Sequence, residues 1–129
     1  MPVKPILADA SAILAFLNFE RGGETVAEQI ENIAVTSVNL AEIVTVLMLR
    51  GIKKDWIDTR VHRVFTNVVP FDREQAQLAG QLAILTQKHG LSLGDRACLA
   101  AGIVLDARVL TADTAWRKLN LGVEIVLIR

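Results

Sequence analysis

The fold of this chain is decided by the stretch Pro5-Ile6-Leu7-Ala8-Asp9-Ala10-Ser11-Ala12-Ile13-Leu14-Ala15. Its first part is a short, continuous apolar run, which predicts a strand over residues 5–8 that is buried on both faces. An acidic residue follows at once, and residues 11–18 have the apolar spacing of a helix. A buried strand that leads through an acid into a helix is typical of an α/β fold.

The same alternation of short apolar runs and longer helical segments continues along the chain. Further strands are predicted at 33–36, 68–69, 109–110 and 123–128. Strands separated by helices pair in parallel through right-handed crossovers, and their helices cover both faces of the sheet. Asp72 and Gln75 have the pattern of a capping box at the start of one helix. The helices are predicted at 11–18, 24–30, 38–50, 53–66, 73–85, 93–105 and 113–119.

Composition limits the function classes. The chain has 129 residues, so we expect one domain over residues 1–129. Lys+Arg and Asp+Glu both number 14, and zero net charge excludes a strongly basic clamp for nucleic acid. Hydrophobic residues (52%) and eight glycines together exceed the ~45–50% share that soluble domains usually show on this count. The excess indicates apolar surface that is buried against a partner.

The cysteine count and the N-terminal stretch indicate the compartment. Cys98 is the only cysteine, which excludes an internal disulfide and a Cys-rich zinc site. Asp9 interrupts the first apolar stretch, which argues against a secretory signal. The longest stretch without charged residues, 75–87, is shorter than the ~20 apolar residues that a membrane span needs. We therefore expect a soluble, cytoplasmic protein.

Four acidic residues stand where strands end or helices begin. Asp9 follows the first strand, Glu42 lies in the helix after the second, Asp95 opens the helix before the fourth, and Asp113 follows the fourth strand. Because the carboxyl ends of parallel strands meet at one edge of the sheet, we expect the four carboxylates to converge. Converging carboxylates repel one another unless a proton or a cation is bound, and oxygen ligands without His favour a hard divalent cation. The pattern predicts a metal-dependent phosphoryl-transfer site.

Each acid also has an ordinary structural interpretation. Asp is a favoured N-cap residue, which accounts for two of them, and residues 92–95 have the pattern of a capping box. Glu42 belongs to a polar stripe that a solvated helix face would explain. It is, however, the only charged residue between Val38 and Leu49, and a lone carboxylate in an apolar helix usually has a partner or a metal.

Four segments carry a resemblance to a known family. They are Asp9–Ala15 (DASAILA), Asn39–Glu42 (NLAE), Leu91–Ala100 (LSLGDRACLA) and Val109–Trp116 (VLTADTAW). In their order and spacing they resemble the PIN-domain family, and most closely the VapC-type toxins of bacterial toxin–antitoxin pairs. The resemblance runs essentially from end to end of the chain.

The resemblance implies a three-layer α/β/α sandwich around a central parallel sheet and the activity of a Mg²⁺- or Mn²⁺-dependent endoribonuclease. It also implies a homodimer and a VapB-type antitoxin that neutralises the toxin by occupying its site. The residues after Asp113 lack the further acid that many PIN domains place there. Position by position, the acidic quartet of the family matches Asp9, Glu42, Asp95 and Asp113. The hydroxyl residue that braces the first acid matches Ser11. The hydroxyl residue two positions before the last acid matches Thr111.

These matches lead to a hypothesis for the chemistry. We expect Asp9, Asp95 and Asp113 to hold the metal, and Glu42 to orient or deprotonate the water that attacks the RNA phosphorus. The cut would leave a 5′-phosphate and a 3′-hydroxyl.

Further residues are candidates for supporting roles. Asn39, on the same helix stripe as Glu42, and Arg96, next to an acid, are expected to support the acids. The basic segment 50–63 is a candidate for the RNA backbone, with Lys53, Lys54 and Arg60 as contacts. A solvated helix face is the alternative for this segment.

Two other functions compete with the endoribonuclease toxin. A phosphoacceptor signalling domain of similar size would have adjacent acids after the first strand and a Lys after a late strand, and neither is present here. A catalytically inactive PIN-type binding or assembly module is the closer alternative. All four acids are present, so the sequence gives that alternative no support.

Overall fold

The computed structural model describes residues 4–129, and this part of the chain contains five strands and six helices. None of these helices combines the length and the apolar character that crossing a lipid bilayer requires. Short 3-10 turns occupy Ile30–Asn32, Gln87–His89 and Thr114–Lys118. The order is β1 (Ile6–Ala8), α1 (Ala10–Leu17), α2 (Gly23–Ala27), β2 (Ile33–Thr36), α3 (Ser37–Leu49), α4 (Lys54–Val64), β3 (Val68–Val69), α5 (Arg73–Thr86), α6 (Leu93–Leu105), β4 (Arg108–Thr111) and β5 (Glu124–Leu127).

The strands form one parallel sheet in the order β3-β2-β1-β4-β5. β1 lies at the centre, where Ile6 is opposite Ile33 of β2 and Leu7 is opposite Val109 of β4. Because the strands are parallel, their carboxyl ends share one edge of the sheet. Asp9 therefore lies at the middle of that edge.

The two faces of the sheet are covered by different helices. Ile6 and Ala8 of β1 pack into a core that includes buried residues of α1, α2, α3 and α4. Leu7 points the other way, into a second core that includes α5, α6 and Trp116. Burial on both faces explains why the strands are continuously apolar rather than alternating. The predicted three-layer α/β/α sandwich is confirmed.

Helix α6 packs closely against the sheet because Gly102 has no side chain. A Cβ at this position would lie 2.7 Å from Cγ2 of Val109 in β4 and 3.0 Å from Cγ2 of Val123. The close approach helps to fix α6, whose first turn carries Asp95.

Three local predictions differ from the structure. The predicted helix at 113–119 is a 3-10 turn over Thr114–Lys118, and the predicted helix at 24–30 is shorter, ending at Ala27. The Asp72 carboxylate caps α5 by accepting from the Gln75 backbone, as expected. The Oε1 atom of Gln75, however, is buried and accepts no hydrogen bond from residues 4–129, so the capping box is not completed.

Candidate active site

Asp9 is the buried centre of the site, with only 3% of its surface exposed. Its Oδ1 atom accepts hydrogen bonds from the Ser11 hydroxyl at 2.7 Å and from the Ala12 backbone at 2.9 Å. Its Oδ2 atom accepts from the Thr111 hydroxyl at 2.6 Å. The carboxylate is therefore held in one orientation by three neutral donors.

The two hydroxyls also connect α1 to the residues that follow β4. Ser11 Oγ accepts from the backbone of Ala112 at 2.9 Å, and Thr111 Oγ1 accepts from the backbone of Asp113 at 3.1 Å. The structure thus places Ser11 and Thr111 directly on Asp9. Both residues were singled out by the sequence motifs.

The electrostatic state of Asp9 is unusual. The pKa of Asp9 is raised from 3.8 to about 6. Burial is the main cause and the nearby charge of Asp95 adds to it, while the hydrogen bonds from Thr111, Ala12 and Ser11 act in the opposite direction. The ion pairs among residues 4–129 involve other acids, so Asp9 has no cationic partner in this part of the chain. A bound cation would relieve the cost of the buried charge.

Glu42 reaches the site from α3. Its Oε1 atom accepts from Nδ2 of Asn39 at 2.7 Å, and the same Nδ2 donates to the backbone oxygen of Gly94 at 3.2 Å. A Cβ on Gly94 would lie only 2.3 Å from Glu42 Oε2. The Glu42 carboxylate therefore rests on the first turn of α6, one residue before Asp95.

Asp95 and Asp113 both act as caps. Asp95 Oδ2 accepts from the backbone of Ser92 at 2.9 Å and completes a capping box. Asp113 is exposed, and its Oδ1 atom accepts from the backbone of Ala115 at 3.0 Å. The second oxygen of each carboxylate accepts no hydrogen bond from residues 4–129. The capping interpretation is therefore correct for these acids, and it leaves one oxygen of each for a ligand.

Three of the predicted acids act on the buried thiol of Cys98. Burial raises the pKa of this thiol, and the negative charges of Asp9, Asp95 and Glu42 raise it further. Asp113 is not among the charges that act on it, and its link to the site runs through its backbone contact with Thr111. Three of the predicted acids thus lie near enough for their charges to act on the Cys98 thiol, and Asp113 is tied to Thr111 through its main chain.

The donors fit a hard divalent cation by their chemistry. They are carboxylate oxygens without a basic partner in residues 4–129, and Asp9 is a buried carboxylate of raised pKa. Within the described part of the chain, no three Asp, Glu, His or Cys side chains are already grouped so that they could hold an ion.

Arg96 is placed differently from what we expected. Its Nη1 atom donates to the backbone oxygen of Ala79 at 2.9 Å, which ties α6 to α5. None of the ion pairs among residues 4–129 joins it to an acid. In this structure Arg96 supports the packing of two helices rather than the acid network.

The basic candidates lie on or next to α4. Lys54 pairs with Asp58, and the guanidinium of Arg60 lies 5.0 Å from the ring centre of Trp56. Trp56 and Arg60 line a cleft with residues 16, 17 and 19, at the opposite end of α1 from Asp9. The structure therefore does not bring the predicted RNA contacts Lys53, Lys54 and Arg60 together with the acids.

Comparison with known proteins decides the family. A family model described as PIN domain matches residues 6–121. The chain belongs to the PIN domain family. The resemblance inferred from the four sequence motifs is confirmed, and the acids of this PIN domain lie at the carboxyl edge of its sheet.

Solved structures with the same fold come from toxin–antitoxin complexes and toxins. DNA-bound VapBC from Salmonella typhimurium matches with a TM-score of 0.75 and 13% identity, over 98% of this chain and 100% of that one. FitAcB from Neisseria gonorrhoeae matches with a TM-score of 0.69 and 23% identity, over 95% and 97%. VapC20 of Mycobacterium tuberculosis, described as a sarcin-ricin loop cleaving toxin, matches with a TM-score of 0.70 and 16% identity, over 92% and 98%. No curated protein sequence matches the chain.

Sequence reasoning missed two residues of the site. Thr36, at the end of β2, is fully buried and bonds to Asn39, and Gly94 provides the surface on which Glu42 rests. A signal for Gly94 was present, because a glycine directly before a candidate site acid indicates that another group approaches closely. Thr36 carried only the signal of an N-cap residue before a helix.

Proposed function

We propose that this PIN domain is a divalent-cation-dependent endoribonuclease and the toxin of a VapBC-type toxin–antitoxin pair. The observation that carries the proposal is Asp9, a buried acid without a cationic partner in residues 4–129, held by two hydroxyls and within reach of the charge of Asp95. Membership of the PIN domain family and the fold shared with toxin–antitoxin structures support it.

The acids have distinct roles in this proposal. Asp9, Asp95 and Asp113 would hold Mg²⁺ or Mn²⁺. When bound, such an ion lowers the pKa of a coordinated water and neutralises negative charge that develops on the phosphodiester. The hydroxyls of Ser11 and Thr111 keep the Asp9 carboxylate in one orientation, so little side-chain freedom is lost on binding.

Glu42 is the proposed base. Its Oε1 atom is held by Asn39, whereas Oε2 accepts no hydrogen bond from residues 4–129. We propose that Oε2 orients the attacking water and takes its proton as the water approaches the phosphorus in line. The products are a 5′-phosphate and a 3′-hydroxyl.

We also propose a cytoplasmic homodimer that binds a VapB-type antitoxin. Large apolar side chains on several helices and a connecting turn support the presence of partners, because they are strongly exposed in the single chain. The exposed fractions are 96% for Phe19, 84% for Leu49, 82% for Ile84 and 65% for Leu85.

Induction in a bacterial host tests the function directly. We expect growth arrest with the parent chain, no arrest with Asp9→Asn, and relief of the arrest by the small protein encoded next to it. Asp106→Asn is the matched control, since Asp106 is an exposed acid paired with Lys4 and its left-handed backbone suits Asn. Harmless expression of the folded parent would contradict the proposal, and Mn²⁺ binding without RNA cleavage would support the inactive binding module instead.

A further inference from the structure

We infer that Asn39 is the positioning residue that fixes the Glu42 carboxylate and that, by its own bond to Gly94, joins α3 to α6 at the site. The inference rests on the proposed function in one respect, because Glu42 is the proposed base. The position of Asn39 itself follows from its hydrogen bonds to Thr36, Glu42 and Gly94.

The orientation of the Asn39 amide is determined by its surroundings. Asn39 is 1% exposed, and its Oδ1 atom accepts from the Thr36 hydroxyl at 3.0 Å. Its Nδ2 atom donates both to Glu42 Oε1 at 2.7 Å and to the Gly94 backbone oxygen at 3.2 Å. A rotated amide would place its oxygen against two acceptors, so only the observed orientation satisfies all of these groups.

Thr36 anchors Asn39 to the sheet. The Thr36 side chain is fully buried at the end of β2, and its hydroxyl also accepts from the Asn39 backbone at 3.0 Å. This bond is the N-cap of α3. A continuous series of hydrogen bonds therefore runs from the central sheet through Thr36 and Asn39 to Glu42.

Gly94 limits Glu42 from the other side. All three carboxyl atoms of Glu42 lie within 2.4 Å of the position that a Cβ on Gly94 would occupy. The carboxylate is thus placed between the Asn39 amide and the backbone of α6. With Oε1 held by the amide, Oε2 is the oxygen left for the water.

The first test combines RNA cleavage with Mn²⁺ affinity. Asn39→Asp replaces the donor that faces Glu42 by an acceptor of the same shape. We expect kcat to fall ~100-fold, the loss typical of removing a positioned base, with KM and the Kd for Mn²⁺ within about threefold of the parent. Asn18→Asp is the matched control, since Asn18 donates to Glu20 at 3.3 Å on the surface, and it should leave kcat unchanged.

The second test is a double-mutant cycle read in urea unfolding, which needs no activity. Asn39→Asp should lower the urea midpoint. Adding Glu42→Gln makes residue 42 the donor and residue 39 the acceptor of their hydrogen bond. The double variant should therefore recover more than half of the loss in urea midpoint. Thr36→Val should reduce kcat about tenfold, and Thr36→Ser should recover most of that loss, because only Ser retains the hydroxyl that orients Asn39.

Several results would overturn the inference. One is an Asn39→Asp variant whose kcat stays within threefold of the parent value. The same holds for an Asn39→Asp variant that loses Mn²⁺ affinity by the same factor as kcat. Another is a double variant that is destabilised by the sum of the single changes, and a third is Thr36→Val with parental kcat. If the parent cleaves no RNA, the proposed function fails and the unfolding cycle alone decides on Asn39.

Discussion

Asp9 stands out among the site residues because its carboxylate is buried in a neutral environment. Its three donors replace water but bring no positive charge. The pKa of Asp9 is about 6 in the folded state, and its ordinary value is 3.8. The folded state is therefore ~3 kcal/mol less stable with Asp9 ionised than with Asp9 neutral. The stability contributed by neutral Asp9 is fully present below pH 3.8 and is lost as the pH rises through about 6.

Replacing Asp9 by Asn should therefore stabilise the metal-free protein at pH 8. We expect Asp9→Asn to raise the free energy of unfolding in EDTA, because a buried charge is removed while the shape is kept. The gain should be smaller than ~3 kcal/mol, since the Asn nitrogen cannot accept the hydrogen bond that one oxygen of Asp9 accepts. The gain should disappear at pH 3.5, where the parent Asp9 is neutral in the folded state. Urea curves at both pH values measure this, with Asp106→Asn as the control. A variant less stable than the parent at pH 8 would contradict the assigned electrostatics.

Gly94 allows a second prediction at the scale of single residues. Gly94→Ala should displace the Glu42 carboxylate and lower the rate of RNA cleavage ~100-fold, since a shift of ~1 Å in a catalytic group has an effect of this size. Gly80→Ala in α5 is the control, because a Cβ there meets nothing within 4 Å, and it should stabilise the protein by ~0.4–1 kcal/mol. A Gly94→Ala variant with the parental rate would show that the position of Glu42 does not matter.

The sequence predicted the acids of the site better than their surroundings. Three of the acids directly follow a strand or lie in the first turn of a helix, and Glu42 lies in the second turn of α3. Such positions can be read from local patterns. The contact of Asn39 with Gly94 joins residues 55 positions apart, and no local pattern encodes it. The same holds for Arg96, whose partner Ala79 lies on another helix.

At the scale of elements, α6 connects the site to the core. Its first turn is fixed by the Ser92–Asp95 capping box, and its middle lies against β4 where Gly102 allows close packing. Seven of its thirteen residues are buried, which explains why no polar stripe marked this helix in the sequence.

Gly102→Ala tests this packing. The new methyl group would overlap Val109 and Val123, so we expect a loss of ~1–3 kcal/mol in the free energy of unfolding. Gly102→Ala combined with Val109→Ala should be less destabilising than the sum of the two changes, because the second creates room for the first. Strict additivity in urea unfolding would contradict the assigned contact.

Strands were predicted more accurately than the ends of helices. Short apolar runs predicted all five strands, and for the central strands burial on both faces leaves a signal that does not depend on the partner strand. The segment after β4 was predicted as a helix, yet it is a 3-10 turn capped by Asp113. A cap and a short apolar stretch do not distinguish these two structures.

At the scale of the whole molecule, the zero net charge averages different regions. The acids gather at one edge of the sheet, whereas α4 and its flanks carry the excess of basic residues. Zero charge therefore argues only against binding RNA by bulk attraction. The parallel topology, with β1 at the centre, is what brings acids from distant parts of the chain to one edge.

The proposed contact of the basic segment 50–63 with RNA can be tested separately. If Lys53 and Lys54 contact the RNA backbone, replacing both by Ala should reduce the slope of log K against log salt by about one to two. Lys88→Ala is the control, since this exposed lysine lies outside the segment. An unchanged salt slope in a catalytically inactive background would show that the α4 charges are a solvated face.

The central claim is that Asp9 and its neighbouring acids form a cation-dependent RNA-cleaving site. The most direct measurement is cleavage of a 5′-labelled RNA by purified parent, Asp9→Asn and Asp106→Asn, with EDTA, Mg²⁺ or Mn²⁺ and with folding checked by circular dichroism. We expect cleavage by the parent and by Asp106→Asn only when a divalent cation is present, and at least ~100-fold less cleavage by Asp9→Asn. Cleavage by folded Asp9→Asn at the parental rate and saturating cation would contradict it.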